Sequence, residues 1–158
     1  REFPDVAFVV NGSGAARAAL EADAEKLNNV FFGDYQPIER LSEVLATADI
    51  HAVLLKRGLG KVSVPSKTYS VMAAGRAIVA AIDYGTEVTR LIDGAKCGIS
   101  VPPDDSAALI EALRTMLADF SEIRQMGERA RQFVEQVASP KSVAQQYVTA
   151  IQDVNQGR

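Results

Sequence analysis

Two short segments carry residue types that could bind a phosphorylated ligand. The first, Gly12-Ser13-Gly14, follows an apolar run and opens a helical pattern, so its N–H groups are expected at a helix N-terminus, where they can meet an anion. A dinucleotide fingerprint would have a third glycine at the position of Arg17, and no acidic residue clearly ends the next strand to bind a ribose. The pattern therefore disfavours a dinucleotide site and leaves a tight strand-to-helix turn as the alternative.

The second segment runs from Val64 to Ser70, between a loop and a predicted helix that ends at Gly75. Ser66 can cap this helix, the neighbouring N–H groups favour an anion, and Lys67 adds a mobile positive charge. A diphosphate suits that combination. The alternative is an ordinary capped helix with a solvated lysine.

Composition narrows the classes of function. The chain has 158 residues, of which 47% are hydrophobic and 23% charged, as expected for one globular domain with a packed core. A net charge of -3 argues against a general nucleic-acid binder, which needs a basic face. With one histidine, His51, and one cysteine, Cys97, we expect neither a zinc site nor an internal disulfide. Without a signal peptide or an 18-residue apolar run, a cytoplasmic location is expected, and contact with the inner membrane surface would depend on parts outside this chain.

Short apolar runs alternate with amphipathic helical patterns, which predicts an α/β fold in which helices flank a parallel sheet. The predicted strands are 5–11, 30–32, 50–55, 77–82 and 97–101, and the predicted helices are 15–26, one from Pro37, 66–74 and 87–92. The opening residues, Arg1 to Pro4, read as the end of a helix. We therefore expect a single domain over 1–158 from which a first βα unit is absent.

Three helices are predicted in the C-terminal third. Ser106 can cap the first, the second starts near Ser121, and Ser139-Pro140 ends it because proline cannot continue the helical ladder. A third helix follows. Each helix has an apolar side at helical spacing, which predicts burial in the core; for the third helix that side consists of Val143, Tyr147, Val148, Ile151 and Val154.

The stretch from Pro65 to Arg76, followed by Ala77-Ile78-Val79-Ala80, resembles the C-terminal half of the family-four retaining glycosyltransferases, in particular the subgroup with a Pro-Ser-Lys motif. Other segments occur in the order found in the family: Phe8 to Gly14, Asn29 to Gly33, Ala46 to Asp49 and Gly98 to Pro103. The resemblance covers almost the whole chain. Each motif is modest alone, and the ordered set is specific.

The resemblance implies a Rossmann-like domain, one half of a GT-B fold, which binds the nucleotide and phosphates of an activated sugar at the C-terminal ends of its strands. The acceptor would bind to an N-terminal domain of the same protein that is absent here. The implied partner is a nucleotide-diphosphate sugar, used as donor substrate without a cofactor or a metal ion. The implied contacts are Ser66, Lys67, Thr68, Gly12, Ser13 and Gly14 for the phosphates; Phe32, Gly33, Asp34, Tyr35 and Ser70 for the base and ribose; and Gly85, Thr86 and Glu87 for the donor sugar.

The chain also departs from the family pattern. Many relatives carry two glutamates at the positions that Val62 and Ser70 occupy here, and neither of these residues is a carboxylate. Ser70 could still form a hydrogen bond with a ribose hydroxyl. Glu87 is the nearest candidate to replace one of the glutamates, and the alternative is that Glu87 only interacts with the dipole of its own helix. The catalytic residues therefore stay unassigned.

The expected function is retaining transfer of a sugar from a nucleotide-diphosphate donor to an acceptor in polysaccharide or glycoconjugate biosynthesis, with the isolated domain inactive. A second reading, motivated by Val62 and Ser70, is a nucleotide-sugar-binding module without catalysis. A third, a sugar-nucleotide epimerase, would need acid and base groups. Only His51, inside a predicted strand, is available, and this residue reads as part of the core or the strand edge.

Overall fold

A computed structural model describes residues 2–62 and 65–155 of the chain. It divides into two compact units, one up to Leu41 and one from Ser42 onward. Within the described residues, no helix is both long and apolar enough to cross a membrane. Val64, part of the predicted phosphate segment, lies outside the described residues.

The first unit is a parallel pair of strands connected by a helix. Strand β1 (Phe8–Asn11) pairs with β2 (Val30–Gly33) in the register Phe8 to Val30, and α1 (Arg17–Ala24) connects them. A 3₁₀ turn, Ile38–Arg40, follows. The side-chain amide of Asn29 donates to the carbonyls of Phe3 and Val6 over 2.8 and 2.7 Å, which ties the segment before β1 to the turn before β2. No described residue of this unit is fully buried.

The second unit contains a three-stranded parallel sheet in the order β3-β4-β5. Its strands are β3 (Ile50–Leu54), β4 (Ala77–Ala81) and β5 (Gly98–Val101). Its helices are α2 (Leu41–Thr47, whose first residue lies at the unit boundary), α3 (Lys67–Ala73), α4 (Glu87–Ala95), α5 (Ser106–Leu117), α6 (Phe120–Val137) and α7 (Pro140–Asn155). Consecutive strands run parallel because a helix crosses over between them.

Strand β4 separates two hydrophobic clusters because successive side chains of a strand point to opposite faces. Ile78, Ala80 and Ile82 pack with apolar residues of α3, α4 and α6. Ala77 and Val79 pack with apolar residues of α5 and α6. All five residues of the strand are buried, as expected for a central parallel strand covered on both faces.

Several predicted bounds and the cap predicted for α5 were wrong, and residues 2–4, expected to end a helix, are not helical. The first strand begins at Phe8 and not at residue 5, and α1 spans Arg17–Ala24 and not 15–26. Helix α5 is capped by Asp105, whose carboxylate accepts from the N–H of Ala108 over 2.9 Å, and not by Ser106. Asp105 has a non-helical backbone, which an N-cap requires, whereas Ser106 is already the first helical residue.

The prediction that the apolar side of the last helix is buried was also wrong. Helix α7 packs along α6, but Tyr147, Ile151 and Val154 are exposed, and no residue of α7 is buried. Val137 and Phe120, at the two ends of α6, are exposed as well. The spacing correctly identifies an apolar side of α7, but none of the described elements covers it.

Candidate functional site

In the first unit, the predicted phosphate turn lies directly after β1. Gly12 has φ +131°, a conformation that favours glycine, and its N–H donates to the carbonyl of Gly33 over 2.9 Å. Ser13 and Gly14 are exposed. Helix α1 begins at Arg17, whose N–H donates to the carbonyl of Gly14 over 3.1 Å. The turn therefore precedes the first helical residue, and it does not form the helix N-terminus itself.

The base-binding residues predicted after β2 lie next to this turn. Gly33 is the last residue of β2, Asp34 follows it, and both Asp34 and Tyr35 are exposed. A Cβ atom at Gly12 would lie 3.2 Å from Cζ of Tyr35, so the tyrosine ring packs on the glycine backbone. The fold thus brings Gly12, Gly33, Asp34 and Tyr35 together, while Phe32 is half-buried within β2.

Arg17 joins the two loops. Its Nη1 lies 2.7 Å from the Gly12 carbonyl, 3.1 Å from the Gly33 carbonyl and 2.7 Å from Oδ1 of Asp34. Its Nε donates to Glu21 over 2.8 Å. The hydrogen bond with Glu21 and the bond and charge of Asp34 raise the pKa of Arg17 above its ordinary value, so the guanidinium stays charged. From the sequence alone, Arg17 was notable only as the residue in place of a third glycine.

The expectation that no acidic residue clearly ends the second strand needs a correction at Asp34. An acidic residue does follow the second strand, since β2 ends at Gly33. Its carboxylate is paired with Arg17, 2.7 Å away. The dinucleotide site remains disfavoured because the long side chain of Arg17 stands where the fingerprint has a glycine, and because it engages the acidic group.

In the second unit, Ser66 and Lys67 are exposed at the start of α3. The expected Ser66 cap is not formed: the backbone of Ser66 is already helical, with φ -56° and ψ -26°, so the hydroxyl makes no capping bond. An N-cap residue normally has an extended backbone, from which its side chain reaches back to the helix. Thr68 is fully buried, and its hydroxyl has no hydrogen-bond partner among the described residues.

The predicted donor-sugar residues lead from β4 into α4. Gly85 has φ +74° and is exposed, and Thr86 is the N-cap of α4, accepting from the N–H of Thr89. Glu87, the first residue of α4, accepts at Oε1 from the Tyr69 hydroxyl over 3.3 Å and at Oε2 from Nη2 of Arg90 over 3.1 Å. Partial burial, then the charge and hydrogen bond of Glu87, raise the pKa of Tyr69.

This contact brings a carboxylate to helix α3. Tyr69 precedes Ser70, which is half-buried on α3, and Val62 is exposed. Glu87 also lies in the first turn of α4, where a negative charge interacts favourably with the helix dipole. Both interpretations of Glu87 are compatible with this position.

Polar contacts also connect the loops after β3, β4 and β5, and the sequence analysis did not predict them. The N–H of Arg57 donates to Asp104 over 3.2 Å, and the N–H of Gly58 donates to Asp83 over 2.7 Å. Gly60 is buried, and a Cβ there would lie 3.0 Å from Ile82 and Thr86. The available signal was the run from Lys56 to Lys61, with three basic residues and two glycines directly after a strand.

The single histidine of the chain lies at the beginning of β3 and the single cysteine directly before β5, and neither belongs to these loops. His51 is half-buried in β3, with Nε2 2.8 Å from the Leu45 carbonyl. Cys97 is fully buried, and burial raises the pKa of its thiol to about 11. In the part of the chain that the structure describes, no group of three or more histidine, cysteine, aspartate or glutamate residues could hold a metal ion.

The sequence matches a protein family described as glycosyl transferases group 1 over residues 1–119. It is 36% identical over 108 residues to the probable glycosyltransferase WbjE of Pseudomonas aeruginosa, covering 65% of this chain and 26% of that protein. It is 27% identical over 147 residues to WcaI of Escherichia coli (strain K12), a putative colanic acid biosynthesis glycosyl transferase, covering 91% and 35%. The chain therefore spans about a quarter to a third of the length of these relatives.

Solved structures similar to this chain include glycosyltransferases of the GT-B kind. Sucrose-phosphate synthase from Thermosynechococcus elongatus has a TM-score of 0.70 at 21% identity, covering 95% of this chain and 38% of its own. Anabaena HepE, solved in complex with UDP, has a TM-score of 0.70 at 18% identity, covering 94% and 41%. WaaG, a glycosyltransferase involved in lipopolysaccharide biosynthesis, has a TM-score of 0.58 at 28% identity, covering 80% and 33%. These similarities confirm the predicted fold class.

Proposed function

The chain belongs to the glycosyl transferases group 1 family, and we propose that it is the donor-binding part of a retaining GT-B glycosyltransferase of family four, Pro-Ser-Lys subgroup. In this proposal it holds a nucleotide-diphosphate sugar, and an N-terminal domain of the same protein binds the acceptor. The transfer needs no metal ion and takes place in the cytoplasm.

The observation that supports donor binding most strongly is the position of the predicted contacts relative to the strands. In the first unit Gly12-Ser13-Gly14 follow β1, and Asp34 and Tyr35 follow β2. In the second unit Gly85 and Thr86 follow β4. In open α/β sheets, ligands bind outside the carboxyl ends of the strands, where these loops lie.

The proposed chemistry concerns the leaving group. Negative charge grows on the β-phosphate as the glycosidic bond breaks, and preorganised donors stabilise it, each worth about 3 kcal/mol in other enzymes. Lys67 is exposed at the first turn of α3 and supplies a positive charge in this scheme. The chain needs no general base to stabilise the diphosphate.

We assign to Glu87 the carboxylate role that Val62 and Ser70 leave open. Its bond to the Tyr69 hydroxyl brings it against α3, in the turn that contains Ser70. The second candidate function, a binding module without catalysis, is favoured by the uncharged side chains of Val62 and Ser70. The two proposals differ in whether the protein transfers sugar once the donor is bound.

The relatives suggest the kind of donor and product. HepE was solved with UDP, and WcaI and WaaG are described with colanic acid and lipopolysaccharide biosynthesis. We therefore propose a nucleoside diphosphate sugar as donor and a polysaccharide or glycoconjugate as product. The exposed Val9 and Val10 of β1 further support the expectation that another βα unit completes this domain, since parallel strands are normally buried on both faces.

Calorimetric titration of the full-length protein with UDP-, GDP- and ADP-sugars tests donor binding. We expect one class to bind, and Lys67→Ala to weaken it by about 1.5–3 kcal/mol, the usual value of a charge-assisted contact. The melting temperature should not fall, because a lysine is disfavoured at a helix N-terminus. Lys141→Ala is the matched control, an exposed lysine in the first turn of α7. If Lys67→Ala lowers the melting temperature and leaves the affinity unchanged, the proposed phosphate contact is wrong.

Transfer assays separate the two candidate functions. The full-length protein should transfer sugar to a pool of acceptors, whereas this chain alone should not, because positioning both reactants is worth about 7–11 kcal/mol and the chain holds only the donor. Donor binding without hydrolysis or transfer by the full-length protein would support the binding module. Turnover by this chain alone with a simple sugar acceptor would contradict the assigned division of roles.

A further inference from the structure

Arg17 contacts the loops after both strands of the first unit, and we propose that it is a positioning residue for nucleoside binding. In this proposal Arg17 fixes the loop Gly33-Asp34-Tyr35 against the turn at Gly12, so that the surface for the base is formed before the nucleotide arrives. This inference rests on the proposed function, because it concerns the same donor site.

The acceptors of Arg17 show that it acts on the backbone. Two of the three oxygens near its Nη1 are the carbonyls of Gly12 and Gly33, at 2.7 and 3.1 Å. Both carbonyls lie at the carboxyl ends of the paired strands, β1 and β2. The third oxygen is Oδ1 of Asp34, at 2.7 Å. Nη1 carries two hydrogens, so at least one of them is shared between two of these oxygens, and this one group links the ends of β1 and β2 and fixes the path of the chain after β2.

The loop that Arg17 holds presents an aromatic ring. Tyr35 packs on Gly12, where a Cβ atom would lie 3.2 Å from the ring, and yet 66% of Tyr35 is exposed. Nucleic acid bases stack readily on such rings. The tyrosine therefore has one side against the glycine and most of its surface accessible to a base.

Helix stability does not explain an arginine at this position. Arg17 is the first residue of α1, where a positive charge is unfavourable because of the helix dipole. Its ion pair with Glu21 is of the common i,i+4 type and uses Nε, whereas the loops are contacted by Nη1. Nothing about a simple strand-to-helix turn requires the three remaining contacts.

The test compares Arg17→Ala, Arg17→Lys and Arg131→Ala in the full-length protein. Arg131 is the matched control because it forms an i,i+4 pair with Glu135 over 2.8 Å, on the exposed side of α6. We expect Arg17→Ala to weaken binding of UDP, or of GDP or ADP if the parent prefers these, by about tenfold, which corresponds to roughly 1.4 kcal/mol. Arg17→Lys should recover part of this loss, and Arg131→Ala should bind like the parent.

Two further measurements separate positioning from general stability. Hydrogen exchange in Arg17→Ala should become faster at the amides of residues 34–36, and the amides of β1 should keep the parent rate. In turnover, KM for the donor should rise with kcat unchanged, since preorganisation affects binding of the donor and of the transition state equally.

Three results would overturn the inference. Arg17→Ala binding within twofold of the parent would show that the contacts do not matter for the nucleotide. Faster exchange throughout β1 and β2 would show that Arg17 stabilises the whole unit. If the parent binds none of the three nucleotides, the proposed function fails and this inference fails with it, whereas the first two results leave the proposed function intact.

Discussion

The two units of the chain differ in what holds them together. In the second unit every residue of β4 is buried, with helices packed on both faces of the strand. In the first unit no described residue is fully buried, and Val9 of β1 is 64% exposed. Two parallel strands and one helix form too thin a layer to exclude water from either face. Parallel strands become stable when both faces are covered.

This difference affects how the loops of each unit are fixed. In the second unit the loop at Gly60 packs against Ile82 and Thr86, so that burial holds it in place. In the first unit Arg17 and Asn29 hold the loops through hydrogen bonds to backbone carbonyls. We therefore expect the loops of the first unit to depend on a few polar side chains, whereas those of the second combine the polar contacts of Asp83 and Asp104 with packing against the core.

The sharpest test of the comparison replaces one glycine in each unit. In Gly98→Ala the new Cβ would lie 1.8 Å from the backbone carbonyl of Ile78, which cannot move without breaking the pairing of β4 with β5. We expect a loss of about 4 kcal/mol or more, an unusually large effect for one methyl group. Gly14→Ala, with no atom within 4 Å of the Cβ, should change stability by less than about 0.5 kcal/mol. Denaturant midpoints of the two variants measure this difference, and similar midpoints would contradict it.

A second comparison shortens one apolar side chain in each unit. Ile92 of α4 is 1% exposed within the core, and Leu20 of α1 is 47% exposed. Ile92→Ala should cost about 3 kcal/mol, through lost burial and the cavity left behind, and Leu20→Ala about 1 kcal/mol or less. Hydrogen exchange of each unit reports the changes separately. A cost above about 2 kcal/mol for Leu20→Ala would contradict the partial exposure of this leucine.

The buried thiol of Cys97 makes the stability of the second unit depend on alkaline pH. The pKa of Cys97 is about 11 in the folded protein, because burial disfavours the thiolate. An unfolded thiol has a pKa near 8.5–9, so it loses its proton first, and the stabilisation present below pH 9 is lost as the pH rises toward 11. The loss should total about 3 kcal/mol, since each pKa unit corresponds to about 1.4 kcal/mol.

Cys97→Ala is the control for this prediction. Other groups also titrate at alkaline pH, so the informative quantity is the difference between the pH profiles of the parent and of Cys97→Ala. That difference should be constant below about pH 9, change between about pH 9 and 11, and stay constant above. Parallel profiles of unfolding free energy would show that the thiol does not contribute.

The sequence predicted the helices and strands better than it predicted which of their faces are covered. The run from Ala77 to Ala81 is continuously apolar, which is typical of a parallel strand covered on both faces, and β4 is such a strand. The stripe on α7 was identified equally well, yet Tyr147 and Val154 are exposed. Periodicity shows which side of a helix is apolar, but it does not show whether another element covers that side.

The spacing of residues in the sequence did not predict the contacts within the candidate sites. Arg17 and Asp34 are 17 residues apart in the sequence, and they come together because β1 pairs with β2. Tyr69 and Glu87 are 18 residues apart on different helices. The prediction that Ser66 caps α3 was wrong, because a serine caps a helix only where its own backbone is extended, and the backbone of Ser66 is already helical.

The smallest expected effects concern helix caps, and they distinguish two explanations of the difference between the units. Asp119 has an extended backbone and accepts from the N–H groups of Ser121 and Glu122 over 2.8 and 3.1 Å, so Asp119→Ala should cost about 1 kcal/mol.

Helix α1 begins after Ala16, which forms no capping bond. Ala16→Ser should nevertheless gain less than about 0.5 kcal/mol, since Ala16 has a helical backbone from which a hydroxyl does not reach the free N–H groups. Thermal unfolding and hydrogen exchange of α1 measure both. If Ala16→Ser stabilised α1 by about 1 kcal/mol or more, a missing cap would weaken the first unit; an unchanged α1 would leave the missing burial of β1 as the cause.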